Sequence, residues 1–336
     1  MKYIDSINYL YGLQKHGIKL GLEKIERILS ILGNPHKNFL SIHVAGTNGK
    51  GSVSAMTASM LQAYGFKTGL FTSPHINSFT ERIRINNEQI PESEVISLTE
   101  EIKHKIQNLK YNIPQPTFFE FVTAMAFLYF ARNNVDWAVI EVGMGGRLDA
   151  TNVIKPEVSV ITRIDYDHKD FLGETLTEIA KEKAGIIKKE IPVVSSLQEK
   201  EAEEVIIETS KRMSSDLYMY GRDFWGNLTS IDIKGITFDY HDLGAKVLEI
   251  KNLFVPLTGE YQLQNACVAL KTVNIATNKI SKKINNSEHI LKLKRGLSNT
   301  IWRGRLELIS NDPPIMIDAA HNPGAAKAIS EFIKKY

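Results

Sequence analysis

The glycine-rich segment HVAGTNGKGSV, residues 43–53, contains the side chains best suited to chemistry. A strict phosphate-binding loop reads G-x-x-x-x-G-K-S/T. In such a loop backbone N–H groups surround a phosphate, the lysine reaches the terminal phosphates and the hydroxyl holds Mg²⁺. This segment departs from that pattern, because Val44 stands at the first glycine position and Gly51 separates Lys50 from Ser52. A search for the strict motif would therefore miss it.

The same segment nevertheless contains each part of a phosphate site. Its glycines permit close approach of the backbone, Lys50 supplies positive charge, and Ser52 begins a helix whose positive end faces the loop. From these residues alone, nucleotide binding and a plain strand-to-helix turn that requires glycine are both open interpretations. The candidate nucleotide-binding residues are Gly46, Thr47, Asn48, Gly49, Lys50, Gly51 and Ser52.

Polar residues of ligand type follow three other strand-like runs. Glu141 follows WAVI, Ser73 and His75 follow TGLFT, and Asp167 and His168 follow EVSVITRI. Ligands of parallel sheets bind beyond the carboxyl ends of the strands, so these side chains are expected at one sheet edge. Glu141 is a candidate Mg²⁺ ligand, in the manner of a Walker-B acid.

Simpler roles for these side chains are also open. Glu141 can pair with Arg147 or stay solvated. A lone histidine after a strand is more often a structural hydrogen-bonding residue than a ligand. Because Mg²⁺ prefers oxygen ligands, a histidine in its shell would be an unusual choice.

Strand-like and helix-like runs alternate along the chain from residue 39 to residue 213, including a buried helix over residues 117–131 and a helix over residues 176–189. This alternation predicts an α/β fold with a mostly parallel sheet covered by helices. Short alternating runs between about Asp216 and Pro256 predict a small antiparallel appendage. Two helices follow, and then two strands, a turn and a helix.

Composition narrows the partners and the compartment. The 336 residues carry 41 Lys and Arg against 38 Asp and Glu, and no basic block is interleaved with aromatics, so nucleic acid is not an expected partner. The single cysteine, Cys267, cannot form an internal disulfide, which fits a reducing cytoplasm. No signal sequence is visible and no apolar run approaches the roughly 18 residues of a membrane span. We therefore expect a cytoplasmic protein without a membrane partner.

Taken in order, the motifs resemble those of a known family. They are HVAGTNGKGSV, TSPH, ERI, PTFFEF, EVGMGGRLDATNVI, DHKDFLG, IAKEKAGIIK, GRLELI and DAAHNPGA, between Ile42 and Ala325. The ordered set resembles the folylpolyglutamate synthase and dihydrofolate synthase family within the Mur ligase superfamily. The resemblance implies an ATP-dependent amide ligase. ATP would phosphorylate a carboxylate of dihydropteroate or a reduced folate, and the amino group of L-glutamate would attack the acyl phosphate.

The resemblance also implies which residues bind the cofactors ATP and Mg²⁺. Lys50 and the loop backbone would hold the ATP phosphates. Ser52 and Glu141 would ligate one Mg²⁺, and Ser73, Glu141 and His168 would ligate a second. Two divalent ions and Lys50 would neutralise the charge that develops on the transferred phosphoryl group.

Lys183 in KEKAGI matches a lysine that the family converts to a carbamate, which would support the metal site. From the sequence alone, a lysine on a helix surface is the simpler interpretation. Carbamate formation requires a neutral amine, which burial or neighbouring cations provide by lowering the pKa of the lysine. With Lys50 and His321, Lys183 completes the set of candidate catalytic residues.

Further contacts are implied by later motifs. Asn265 in GEYQLQNA would contact the nucleotide, Arg305 in GRLE a phosphate and Asp318 the ribose, while His321 in DAAHNP would lie near the reaction centre. Asn265 as an ordinary helix-interface residue and AAHNPG as a plain helix entry stay open alternatives.

The pterin side is expected near PTFFEF, GGRLDATN and residues 73–82, with Arg82 and Asp149 as substrate-binding candidates. The phenylalanines Phe118, Phe119 and Phe121 are interpreted as core residues and receive no functional role.

The resemblance divides the chain into residues 1–298, which bind ATP and pterin, and residues 299–336, the start of a C-terminal glutamate-ligase domain. Two strands and a helix cannot close a core of their own, so weak ligase activity or an inactive ATP-binding remnant is expected. Arg303 stands where the family usually has proline, which affects at most the stiffness of the linker. A monomer is expected. A related ligase for a cell-wall precursor is a further alternative, and the choice between dihydrofolate and polyglutamate products is open.

Overall fold

A computed structural model describes residues 2–17, 21–107, 115–244, 247–278 and 286–335. The helices are α1 (Tyr3–Gly12), α2 (Glu23–Ile31), α3 (Lys50–Ala63), α4 (Glu92–Gln107), α5 (Phe118–Arg132), α6 (Lys169–Leu172), α7 (Leu176–Ala184), α8 (Lys200–Arg212), α9 (Tyr261–Ala276), α10 (Asn286–Ser298) and α11 (Pro323–Lys335). The strands are β1 (Leu40–Ala45), β2 (Thr68–Phe71), β3 (Ile83–Ile85), β4 (Glu88–Gln89), β5 (Trp137–Glu141), β6 (Val158–Ile161), β7 (Val193–Ser195), β8 (Leu217–Met219), β9 (Phe224–Asp232), β10 (Gly235–Asp242), β11 (Leu248–Val255), β12 (Glu307–Asn311) and β13 (Pro314–Ile317).

An eight-stranded sheet forms the centre of the molecule, in the order β4-β3-β2-β5-β1-β6-β7-β8. The strands from β2 to β8 in this order pair in parallel, and β3 and β4 add an antiparallel hairpin at one edge. The predicted α/β class is confirmed. The strands β5, β6 and β7 are buried along their whole length, because helices cover both faces of a sheet built from parallel strands.

Two predicted boundaries were wrong. The strand β8 belongs to the main sheet, paired in parallel with β7, and not to the appendage; its three residues are too few to show a period. The helix expected over residues 176–189 ends at Ala184. Gly185 follows it, and a Cβ at Gly185 would lie 2.4 Å from the Cβ of Arg147, so only glycine fits where the end of α7 meets that loop.

The helix α5 is buried on almost all sides, as its apolar sequence predicts. It begins with a capping box, in which Thr117 Oγ1 accepts from the backbone N–H of Glu120 and the Glu120 carboxylate accepts from the N–H of Thr117. Glu120 also pairs with Lys24 of α2 at 3.2 Å. The start of α5 is therefore fixed both by its own cap and by the N-terminal helices.

The antiparallel sheet β9–β11 packs its apolar face against α9, which confirms the predicted appendage. Cys267 of α9 is fully buried in this interface, as expected of a structural thiol. Residues 299–335 fold into the β12–β13 pair and α11. Ile309, Ile315 and Ile317 of that pair are exposed. Along the ranges that the structure describes, no helix is both long enough and apolar enough to cross a bilayer.

A buried ion pair joins the appendage to α9. The Asp242 carboxylate accepts from Lys271 Nζ at 2.7 Å, from the Tyr240 hydroxyl at 3.1 Å and from the N–H of Gly244 at 2.8 Å. The side chains of Lys271 and Asp242 are 3% and 1% exposed. Such a pair is expensive to break from one side, because the remaining charge keeps no partner of opposite sign.

We predict that Lys271→Met lowers the free energy of unfolding by about 3–5 kcal/mol, since it leaves the Asp242 carboxylate buried without its cation. Adding Asp242→Asn should recover part of that loss by removing the charge. Urea denaturation measures both variants. Lys189→Met is the control, because Lys189 is 76% exposed, and a loss for Lys271→Met no larger than that of this control would contradict the prediction.

Candidate active site

A cavity of about 340 Å³ lies at the carboxyl edge of the main sheet. The pairing register sets Val44 beside Glu141 and Ala45 beside Ile161, so the loop after β1 emerges between the ends of β5 and β6. Residues between 305 and 329 also line the cavity. The lining includes every residue predicted to bind nucleotide or metal or to act in catalysis: Gly46, Thr47, Asn48, Gly49, Lys50, Gly51, Ser52, Ser73, Glu141, His168, Lys183, Asn265, Arg305, Asp318 and His321.

The glycine loop is held in place by close contacts with distant parts of the chain. Gly46 and Gly49 have positive φ angles of 145° and 90°. A Cβ at Gly46 would lie 1.9 Å from Thr162 Oγ1, and a Cβ at Gly49 would lie 2.4 Å from Asn265 Oδ1. Asn265 therefore packs directly on the loop, which gives it a structural contact in addition to its predicted nucleotide role.

Two lysines of this cavity share one acceptor. Lys50 Nζ donates to the carbonyl oxygens of Gly46 and Thr47, each at 3.1 Å. Lys183 Nζ donates to the same Gly46 oxygen at 2.8 Å. Two amino groups thus converge above the loop at the N-terminus of the 14-residue helix α3, where the helix dipole also favours an anion.

Lys183 is a buried residue, 3% exposed, so its alternative interpretation as a helix-surface lysine was wrong. Burial first, and then the charge of Lys50, lowers the pKa of Lys183 to about 7, although Asp167 and Asp149 act in the opposite direction. A large fraction of the amine is consequently neutral at physiological pH, which is the form that reacts with carbon dioxide.

Glu141 ends β5 inside the cavity and is buried. Its Oε2 accepts from the backbone N–H of Ser73 at 3.1 Å. Burial raises the pKa of Glu141, while the charges of Lys50, Arg305 and Arg82 and the bond from Ser73 act to lower it. The ion pair to Arg147 that the sequence left open is not formed, because Arg147 pairs with Glu182.

The oxygen atoms in this cavity suit Mg²⁺ better than a softer metal. Ser52, Ser73 and Glu141 line it together, and hydroxyl and carboxylate oxygens are the donors that Mg²⁺ prefers. His168 lies in the same lining, in a left-handed conformation at the start of α6. Within the described residues, no three His, Cys, Asp or Glu side chains converge on one point, so bound Mg²⁺ would depend on the serine hydroxyls and on ligand oxygens.

The C-terminal segment contributes three predicted residues. Both oxygens of Asp318 accept backbone N–H groups, from Leu306 at 2.9 Å and from Ala320 at 2.8 Å. Arg305 Nη1 donates to the carbonyl of Gly304 at 2.7 Å. His321 is exposed, and its Nδ1 lies 2.9 Å from the carbonyl oxygen of Ala319. This contact assigns the ring proton to Nδ1, because a carbonyl oxygen only accepts.

A second cavity, of about 440 Å³, adjoins the first and contains both substrate-binding candidates, Arg82 and Asp149. Phe118 and Phe119, interpreted as core residues, are partly buried and pack against the core, but they also line this cavity, whereas Phe121 is fully buried as expected. The two cavities share five lining residues, which are Ser73, Pro74, Gly143, Met144 and His168.

Asp149 has a local structural role. Its carboxylate accepts from Thr151 N at 3.0 Å, from Thr151 Oγ1 at 2.5 Å and from Met144 N at 2.9 Å. These bonds hold the loop that follows β5 against the short 3₁₀ helix Ala150–Val153. The carboxylate therefore shapes the wall of the second cavity, in addition to its predicted contact with substrate.

Two residues of the site were missed by sequence reasoning. Gln262 is fully buried; it accepts from Asn265 Nδ2 at 3.0 Å and donates to Ser52 Oγ at 3.4 Å. Its spacing of three residues before Asn265 on a helix was an available signal. Trp302 packs against Gly51, where a Cβ would lie 2.6 Å from the indole Cζ2. No local sequence pattern connects Trp302 to Gly51, because the two residues are distant in sequence.

Known proteins with similar sequences and structures show which family this chain belongs to. A family model described as "Mur ligase middle domain" matches residues 44–273, which include the loop, Glu141, Lys183 and Asn265. The chain is 38% identical over 345 residues to the dihydrofolate synthase/folylpolyglutamate synthase of Bacillus subtilis, covering 99% of this chain and 76% of that protein. It is 36% identical over 340 residues to the folylpolyglutamate synthase of Lacticaseibacillus casei, covering 100% and 77%.

A solved structure described as an FPGS–AMPPCP–folate complex has a TM-score of 0.90 and 36% identity, covering all of this chain and 80% of that one. This chain belongs to the folylpolyglutamate synthase and dihydrofolate synthase family of the Mur ligase superfamily. The resemblance read from the motifs is confirmed, and so is the predicted enzyme class, an ATP-dependent ligase.

We predict that Gly51→Ala lowers the free energy of unfolding by about 1–3 kcal/mol and weakens ATP binding, because its methyl group overlaps the ring of Trp302. The double variant Gly51→Ala/Trp302→Leu should recover stability. Thermal unfolding and ATP titration calorimetry measure these effects. Gly12→Ala is the matched control, since a Cβ there meets nothing within 4 Å; equal effects of the two single changes would refute the overlap.

Lys183 should also give stability a specific pH dependence. Its pKa of about 7 in the folded protein lies below the ordinary value of 10.5, so between these values the unfolded chain binds more protons and stability rises with pH. In carbon dioxide-free buffer, we expect Lys183→Met to be more stable than the parent protein near neutral pH, with the difference shrinking toward alkaline pH. Denaturant titration across this window measures the difference, and one independent of pH would contradict the assignment.

Proposed function

We propose that this protein is an ATP-dependent ligase that joins L-glutamate to a carboxylate of dihydropteroate or of a reduced folate through an acyl phosphate. The observation that carries the proposal is the pair of adjoining cavities. One has the phosphate loop and converging lysines, the other has aromatic rings and Arg82, and they share one wall. An acceptor carboxylate at that wall would face a nucleotide phosphate from the neighbouring cavity.

The reaction balances in two steps. An oxygen of the acceptor carboxylate attacks the γ-phosphorus of ATP, the bond from that phosphorus to the bridging oxygen breaks, and ADP leaves. The amino group of L-glutamate then attacks the acyl carbonyl, phosphate leaves and the nitrogen gives up a proton. Lys50 and the N-terminus of α3 stabilise the negative charge on the transferred group in the first step.

Four residues that line the first cavity would hold Mg²⁺: Ser52, Ser73, Glu141 and His168, of which Ser73 and His168 also belong to the shared wall. When bound, Mg²⁺ supplies positive charge that neutralises phosphate oxygens. Burial raises the pKa of the Glu141 carboxylate, while the cationic groups Lys50, Arg305 and Arg82 act to lower it, and a bound Mg²⁺ would act in the same direction as these cations. His321 would take the proton from glutamate through Nε2, since its Nδ1–H donates to the carbonyl of Ala319.

Lys183 would carry a carbamate in the active enzyme. The neutral amine adds to carbon dioxide and releases one proton, which places an anion next to Lys50 where a neutral amine stood before. Two features support this proposal: the burial of Lys183 and the lowering of its pKa by the neighbouring Lys50.

Ligase activity is tested by measuring phosphate release from Mg-ATP with dihydropteroate or tetrahydrofolate, each with and without L-glutamate. We expect release that requires both co-substrates and that falls by about 10²–10³-fold in Lys50→Ala, the size of effect seen when one charge-stabilising group is removed. Lys189→Ala is the control for an exposed lysine. Failure of every acceptor to support release in a protein that still binds ATP would overturn the proposal in favour of an inactive nucleotide-binding protein.

The carbamate is tested separately with ¹³C-labelled bicarbonate. We expect a carbamate carbonyl signal in the NMR spectrum of the parent protein and its absence in Lys183→Arg, because the guanidinium stays charged. The same signal in both proteins, or in neither, would show that Lys183 is not the modified residue.

A further inference from the structure

A chain of three polar side chains borders the second cavity, and two of them, Tyr11 and His75, have no role in the reaction described above. Arg82 Nε donates to His75 Nδ1 at 2.7 Å, and His75 Nε2 lies 3.2 Å from the hydroxyl oxygen of Tyr11. Tyr11 belongs to α1, His75 to the loop after β2, and Arg82 to the end of the 3₁₀ helix Phe79–Arg82. The chain therefore connects the N-terminal helix to the cavity wall.

The contact with His75 determines which donors of Arg82 stay available. Arg82 is 8% exposed and lines the second cavity, and its guanidinium lies 5.3 Å from the centre of the Phe118 ring. Its Nε is used by His75, and among the described residues neither Nη atom has a hydrogen-bond partner. A buried guanidinium with two free, parallel donors matches the two oxygens of a carboxylate.

Both nitrogens of the His75 ring are engaged, one by Arg82 and one by Tyr11. Arginine only donates, so Nδ1 accepts and the ring proton is on Nε2, which donates to the Tyr11 oxygen. The Tyr11 ring in turn stacks on Phe118, with centroids 5.8 Å apart. His75 is absent from the lining of both cavities, although Arg82 and Phe118 are present in the second.

We propose that His75 is a positioning residue that fixes the Arg82 guanidinium so that its two Nη groups face the carboxylate of the acceptor substrate, with Tyr11 holding the His75 ring from behind. This inference rests on the proposed function and deepens it by assigning the recognition of the acceptor carboxylate to Arg82. The preference of Arg82 for a carboxylate follows from the geometry of its two Nη groups. A planar anion satisfies both Nη donors, whereas a neutral carboxamide at the same position offers one acceptor and its own N–H groups toward a cation.

The first test measures acceptor binding and kinetics in His75→Ala and His75→Asn. We expect His75→Ala to raise both the Kd and the KM for the acceptor by about 10-fold or more, the loss of one hydrogen bond to a charged group. The KM for ATP should stay unchanged. His75→Asn should recover most of this loss, because the asparagine Oδ1 can accept from Arg82 Nε in place of Nδ1. Tyr11→Phe should give a smaller increase, since it removes only the outer hydrogen bond.

A carboxamide analogue of the acceptor separates positioning from general disruption of the fold. His75→Ala should lose much less affinity for this analogue than for the acceptor itself, because a carboxamide uses one acceptor oxygen and carries no charge. His241→Ala is the control for loss of an imidazole, since His241 lies on the antiparallel sheet, stacked on Trp225. Equal melting temperatures of His75→Ala and His75→Asn would show that the difference between them is local.

The outcomes separate the two claims. If the parent protein binds and ligates the acceptor but His75→Ala does so equally well, the positioning role is refuted and the ligase function stands. If His75→Asn fails to recover binding, or if the KM for ATP rises in parallel, His75 acts through the general structure of the loop and the proposal is overturned. If the parent protein neither binds nor ligates the acceptor, the proposed function itself fails, and the role of His75 fails with it.

Discussion

The convergence of two lysine side chains on a single backbone oxygen is the constraint on which the rest of this site depends. Lys50 and Lys183 both donate to the carbonyl of Gly46, and Lys183 is buried while doing so. Two cations this close destabilise each other. The arrangement is resolved when an anion lies between them or when one of them loses its charge. A bound triphosphate would place an anion between the two lysines, and the lowered pKa of Lys183 allows that lysine to lose its charge.

This concentration of charge persists because the backbone around it is fixed from several sides. Gly46 packs against Thr162 after β6, Gly49 against Asn265 of α9, and Gly51 against Trp302. Each contact is too close for a Cβ. The glycines of the loop thus allow close packing against other parts of the protein as well as close approach of a phosphate. Three distant parts of the chain set the geometry of this one short loop.

The parts of the fold that the sequence predicted correctly are those with long, regular patterns. The strands β1, β5 and β6 and the helix α5 are continuous apolar runs, and the glycine loop is a set of consecutive residues, so each is visible within one short stretch of sequence. The strand β8 was assigned to the wrong sheet because three residues show no period.

The details of the site were harder to predict because they arise from tertiary contacts. Phe118 and Phe119 were taken as core residues, since an aromatic residue in an apolar run looks the same whether it lines a cavity or fills one. Three further features also depend on tertiary contacts that no local pattern shows. They are the burial of Lys183, the packing of Trp302 on Gly51 and the hydrogen bond from Arg82 to His75. In each case the residue type was visible in the sequence and its neighbour was not.

In the proposed reaction, a carboxylate at the shared wall of the two cavities attacks a phosphate held by the glycine loop. The most direct measurement uses an acceptor labelled with ¹⁸O in its carboxylate, followed by mass spectrometry of the inorganic phosphate released with L-glutamate present. Attack by the carboxylate predicts one ¹⁸O atom transferred to each phosphate, because the acyl oxygen stays on phosphorus when the amine displaces it. Unlabelled phosphate would refute attack by the carboxylate, because it would mean that water, and not the acceptor, attacks ATP.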